Sequence, residues 1–252
     1  MSAIESENIV GYQQIEIPAG WSIYTTTFKN VSGDSVDLNS VAFLNASRQP
    51  YATTGKTNTM KGKIQIQKIS ADGSYASSYA YFSTIAGTDG KAWSQDGSTA
   101  IADGVVTFAD GEAFAVNNLT SASVYMQLSG EVELTPKNVV PAGWSLMGNS
   151  TPVDIDLTQV SFLNADGLPY ATSGKTNVMK GKIQIQKINT DGSYATSYAY
   201  FSTIAGTDGK AWSQDGSTAI AEGIVSLKAG EAFAINNLTS GNVTMVLPSP
   251  VQ

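Results

Sequence analysis

The sequence predicts an all-β protein made of two tandem, nearly identical β-sandwich domains of jelly-roll or immunoglobulin-like type. Three observations carry this expectation. The run 78–102 returns unchanged as 197–221, and residues 50–121 match 169–240 at 60 of 72 positions. A period this long marks two domains rather than a solenoid of short units. Strand-like segments recur about every 8–12 residues, the rhythm of a sandwich or barrel. Five Asp-Gly pairs, at 72–73, 89–90, 96–97, 103–104 and 110–111, punctuate them in the first repeat. Such pairs reach positive φ at little cost and close hairpins. The 252 residues divide into 1–128 and 129–252, each long enough to bury its own core.

In the first repeat strands are expected near 8–17, 21–29, 36–45, 60–69, 74–83, 104–109, 112–117 and 123–128. Ile64-Gln65-Ile66-Gln67 alternates apolar and polar, and Val124, Met126 and Leu128 share a face opposite Tyr125 and Gln127. Pro18-Ala19-Gly20-Trp21 recurs as Pro141-Ala142-Gly143-Trp144 at an offset of 123 rather than 119. The first repeat therefore carries four more residues before Leu38, placed in the loop around Asn30 and Asp34. No Pro- or Ser-rich linker separates the copies, so residues 129–134 are expected to open the second repeat as a strand.

Composition removes several function classes. Charged residues make up 14% of the chain, against about 25% in an average protein. The net charge is −7 with one arginine, Arg48, and no basic cluster, which argues against nucleic acid as a partner. There is no Cys and no His, hence no disulfide, no thiol chemistry and no imidazole base or ligand. No nucleophile motif stands out, and the chain is expected not to be an enzyme. No apolar run approaches the ~18 residues of a membrane span, so no membrane insertion is expected. Low charge and abundant Thr, Ser, Gly and Asn fit a bacterial cell-surface protein, secreted with its signal peptide removed.

Four constellations could carry function. The strand tyrosines Tyr75, Tyr79 and Tyr81 with Trp93, and their copies Tyr194, Tyr198, Tyr200 and Trp212, would suit a platform stacking on sugar rings, or core packing. Asp89, Asp96 and Asp103, spaced by seven, could hold calcium, although Asp before Gly is favoured in turns for backbone reasons alone. No other cofactor is indicated. Lys63, Glu112 and Asn117, with Lys182, Glu231 and Asn236, offer the lysine, acid and amide of an isopeptide crosslink. Six Asn-x-Ser/Thr sequons, including Asn118, Asn149 and Asn237, follow from the composition.

The order PAGWS (18–22), GEAFA (111–115), VYMQLSGEV (124–132) and PAGWS again (141–145) resembles a group of secreted bacterial tandem-repeat proteins. The resemblance implies an all-β fold and secretion, and it carries over no activity and no site residues.

Two functions from different classes follow. The first is a secreted structural protein that self-assembles head to tail into an extracellular filament, sheath or surface layer, with itself or other surface proteins as partners. In this scheme the opening strand of one molecule, around Ser6, Asn8, Ile9, Val10 and Tyr12, would add to the last strand of another, around Val243, Met245 and Leu247. The alternative is a bivalent carbohydrate-binding surface module using the tyrosine strands.

Overall fold

A computed structural model describes residues 9–30, 35–51, 63–70, 74–82, 92–170, 183–189, 192–201 and 211–251. Within them the chain is all-β, built of small antiparallel sheets. The first repeat contains β1 (Val10–Ile17), β2 (Gly20–Thr25), β3 (Ser35–Asp37), β4 (Ala42–Leu44), β5 (Ile64–Ile69), β6 (Tyr75–Tyr81), β7 (Trp93–Ser94), β8 (Thr107–Ala109), β9 (Ala113–Asn118) and β10 (Val124–Glu131). The second contains β11 (Lys137–Val140), β12 (Gly143–Gly148), β13 (Ile155–Asp156), β14 (Ser161–Leu163), β15 (Ile183–Ile188), β16 (Tyr194–Tyr200), β17 (Trp212–Ser213), β18 (Ser226–Leu227), β19 (Ala232–Asn237) and β20 (Val243–Val246).

Strand order is the same in both repeats. The first forms β1-β10-β4, β2-β9-β5-β6-β7 and β3-β8; the second forms β11-β20-β14, β12-β19-β15-β16-β17 and β13-β18. Each repeat has one main core. In the first, Ile17, Met126 and Leu128 from the three-stranded sheet share a buried cluster with Ile64, Ile66 and Phe114 from the five-stranded sheet. In β5 the isoleucines at 64 and 66 turn inward and the intervening glutamine stays half-buried, as the alternation requires. The Asp-Gly pairs at 96–97, 103–104 and 110–111 place their glycines at φ 80°, 75° and 70°. The pairs at 72–73 and 89–90 lie outside the described residues.

The junction differs from expectation. β10 runs through the expected division at 128/129 and ends at Glu131, with Ser129, Gly130 and Glu131 paired to Tyr12, Gly11 and Val10. Gly130 permits this: a Cβ there would lie 2.3 Å from the Lys29 carbonyl oxygen, so only a bare backbone can pass. The second repeat opens instead with β11, which pairs with β20 as β1 pairs with β10.

The repeats meet in a contact that exchanges under their own correspondence. Tyr24 bridges Glu231, and Met147 bridges Glu112; Tyr24 corresponds to Met147 and Glu112 to Glu231. A Cβ on Gly230 would meet Ile15 at 2.7 Å, and one on Gly111 would meet Asn138 at 2.6 Å, again a corresponding pair. This is the signature of an approximate two-fold axis, which uses the same patch on both sides. Near the axis the symmetry breaks. Thr25 corresponds to Gly148, and a Cβ on Gly148 would sit 2.5 Å from the Thr25 methyl and 2.8 Å from the Glu231 carbonyl oxygen. Thr25 is fully buried, donates its hydroxyl to the Glu112 carbonyl at 2.9 Å and its amide to the Gly230 carbonyl at 3.0 Å. Asp110 is enclosed at the same seam, where burial raises its carboxyl pKa against the opposing pull of Lys29.

Gly148→Thr should lower stability by about 1–3 kcal/mol, the usual cost of overpacking. Because Thr25 is the group it meets, adding Thr25→Gly should recover part of that loss. A double-mutant cycle from urea unfolding reads the coupling, and strict additivity would contradict this account of the seam.

Candidate functional site

The expected tyrosine platform is divided between core and surface. Tyr81 and Trp93 are buried and pack edge-on at 5.2 Å, with Phe43 completing the cluster. The Trp93 indole donates to the Val41 carbonyl at 2.9 Å. Tyr200, Trp212 and Phe162 repeat the arrangement, with Trp212 donating to Val160. Tyr79 and Tyr198 pack half-buried against these cores. Four of the six candidates, Tyr81, Trp93, Tyr200 and Trp212, are thus buried and two half-buried, so they form no exposed row of rings.

Tyr75 and Tyr194 behave otherwise, both 59% exposed. A bulge separates them from the inward row. Gln67 pairs with Ser78 and Ile69 with Tyr75, leaving one extra residue on β6, and the second repeat does the same between Gln186 and Ile188. An extra residue reverses the alternation and re-aims the side chain that follows.

The residues missed in the sequence are Trp21 and Trp144, 49% and 54% exposed. Each is the second residue of an edge strand that opens on a glycine at φ +94°. Trp21 lies opposite Asn117, which lies opposite Gln65, so its sheet face is polar. Those polar partners were a legible signal only once the order β2-β9-β5 was known. Trp21 and Tyr75 form a tilted pair, with ring centroids 6.3 Å apart and planes at 48°.

This pair lines a cleft of about 350 Å³ with Ala115 of the same sheet and Asn189 and Gly192 of the second repeat's β15–β16 hairpin. A second cavity of about 300 Å³ adjoins it, lined by Glu16, Tyr24, Asn189, Lys228 and Glu231. Both share Ser22, Ile23 and Asn189. Tyr24 donates its hydroxyl to the Glu16 carbonyl at 3.2 Å. Burial keeps this phenol protonated above its usual range, partly offset by Ser22. Lys228 pairs with Asp154 at 2.7 Å and Lys187 with Glu231 at 3.0 Å.

The other sequence candidates separate. Val243, Met245 and Leu247 are buried, and β20 lies between β11 and β14, so both its edges are occupied. Strand addition there would have to displace a native strand. Ile9, Val10 and Tyr12 belong to a segment already bonded to the first repeat's own β10 end; Ser6 and Asn8 lie outside the described residues. Glu112 pairs with Lys68 at 3.0 Å, not with Lys63, and Glu231 with Lys187; Lys182 lies outside the described residues. The isopeptide triad is therefore not assembled around Glu112. The sequon asparagines Asn118, Asn149 and Asn237 are buried, each donating its amide to backbone carbonyls, and are closed to glycosylation.

Among the acidic turns, the Asp96 carboxylate is taken up by its own loop. It accepts from the Ser98 and Thr99 amides at 2.8 and 2.7 Å and from the Thr99 and Ser94 hydroxyls. Asp103 accepts from Asn39 at 2.9 Å. Asp89 lies outside the described residues, and among those described no three acidic side chains converge as a metal site would need.

The chain matches no protein-family model, no curated protein and no solved structure.

The amide and hydroxyl donors around Asp96 and its copy Asp215 hold both carboxyls below the usual range. A depressed folded-state pKa adds stability above the unfolded value, about 3.9, and that stability fades as pH falls. The Asp96→Asn/Asp215→Asn variant should therefore melt below the parent at pH 7, with the gap narrowing below pH 4. A gap independent of pH, read by calorimetry, would contradict the assignment.

Proposed function

We propose that this protein is a non-enzymatic, extracellular module that binds neutral glycans through its exposed aromatic rings, the Trp21–Tyr75 pair of the first repeat and Trp144 and Tyr194 of the second. The carrying observation is the duplicated exposure of four large rings, all about half open to water. Large exposed aromatics in a weakly charged surface signal recognition, since burying them elsewhere would be favourable. Sugar rings offer apolar C–H faces to such rings and hydroxyls to surrounding amides, and Asn189 lines the cleft with an amide. Each repeat is read as a β-sandwich, supported by the main core shared between its three- and five-stranded sheets. The sandwich then acts as a rigid scaffold that keeps the rings apart from the core cluster.

Self-association at a cell surface is the second reading. What favours it is β1, which among the described residues lies at the edge of its sheet with Val10 and Tyr12 exposed. Unpaired strand edges are ready templates for another chain. This contact would join copies through β1, not through β20.

Trp93 and Trp212 are fully buried, so a ligand stacking on the surface should change the emission of Trp21 and Trp144 alone. Affinity electrophoresis in β-glucan, xylan or galactomannan gels should retard the parent protein and not Trp21→Ala/Trp144→Ala. Removing one stacked ring should weaken binding about tenfold, about 1.4 kcal/mol. Equal retardation of parent and variant would refute the reading.

A further inference from the structure

We propose that the two repeats do not offer equal sites: the groove beginning at Trp21 continues across the seam and takes one extended neutral oligosaccharide, whereas its counterpart at Trp144 carries a different set of polar groups at the seam. This deepens the glycan reading and rests on it.

The two cavities beside Ser22 and Ile23 share those residues and Asn189, and so form one groove. One end is aromatic, with Trp21 and Tyr75; the other is polar, with Glu16, Tyr24 and Lys228. Either cavity is near the lower size bound of small-ligand clefts, roughly 300 Å³, so the joined groove suits a chain of several sugars rather than one.

The approximate two-fold axis relates each groove residue to a residue of the other repeat. The aromatic end is kept: Trp21 corresponds to Trp144, Ser22 to Ser145 and Tyr75 to Tyr194. The polar end differs in its groups. Glu16 corresponds to Val139, Tyr24 to Met147, Asn189 to Ser70 and Lys228 to Ala109, whereas Ala229 corresponds to Asp110 and Glu231 to Glu112. The counterpart thus loses the Glu16 carboxylate, the phenol, the amide and the ammonium, and carries the Asp110 carboxylate in their place. Hydrogen-bonding groups of this kind fix the orientation of a polyhydroxyl ligand and set its register.

Charge selects a neutral ligand. The lining cation Lys228 is held by Asp154, and the lining carboxylate of Glu231 is held by Lys187, so both charges are already matched. Glu16 is exposed, and its carboxylate would repel sulfate, phosphate or uronate while accepting from sugar hydroxyls. Asn189 is exposed at the hairpin rim, placed to bridge the two halves of the ligand.

Titration calorimetry of the intact protein with cello-, laminari-, xylo- and mannohexaose and the matching disaccharides tests this. One hexasaccharide should bind per chain, at least tenfold more tightly than its disaccharide. Replacing groove residues by their counterparts, Glu16→Val with Asn189→Ser, should weaken the hexasaccharide at least tenfold and the disaccharide by a smaller factor; Trp144→Ala should weaken the hexasaccharide less than Trp21→Ala does. Two equivalent hexasaccharides per chain, or indifference to the Glu16 and Asn189 replacements, would overturn the extended groove while leaving glycan binding standing. Absence of heat with all four hexasaccharides, together with no retardation in the three polysaccharide gels, would overturn both.

Discussion

Thr25 fills the space that Gly148 leaves empty, and the arrangement of the two repeats depends on that contact. A two-fold interface between identical units would set Thr25 against Thr25 in one pairing and Gly148 against Gly148 in the other. The first overpacks and the second leaves a void, and both cost stability. The mixed pairing avoids both, so the seam selects the first repeat's match with the second. The contact is closed in the sense that each repeat uses the same patch against the other.

The same seam brings the β15–β16 hairpin of the second repeat to the Trp21 face of the first. Function, on this account, is a consequence of duplication followed by divergence at the contact. Residues 107–110 read Thr-Phe-Ala-Asp in the first repeat, and their counterparts at 226–229 read Ser-Leu-Lys-Ala. They are the longest divergent run in the aligned block, and they contain Lys228 of the groove and Asp110 of the seam. The cores, by contrast, hold the same aromatic cluster at the same distances to within a few tenths of an ångström.

The all-β class, the duplication and most strands were legible in the sequence, because alternation and Asp-Gly turns are local signals. Ile64-Gln65-Ile66-Gln67 and Val124–Glu131 read directly. The end of β10 did not, since it depends on Gly130 passing close to the Lys29 carbonyl, a contact 101 residues apart. The aromatic site was half legible. Tyr75 was named with Tyr79 and Tyr81, but the bulge that separates it from them depends on pairing with β5. Trp21 was seen only as a marker of the repeat, because its exposure follows from which strands flank β2. Of the two assembly strands, β20 was misplaced for the same reason: sequence order put it at an end, and the sheet puts it in the middle.

The central claim is that one groove, running from Trp21 across the seam to Glu16 and Asn189, is the principal binding site. A crystal structure of the intact protein grown with the tightest-binding neutral hexasaccharide tests it most directly. The account predicts continuous sugar density stacked on Trp21 and Tyr75 and extending between Glu16 and Asn189, with at most a short stretch at Trp144. Sugar density of equal length at both tryptophans, or confined to a face away from the seam, would contradict it.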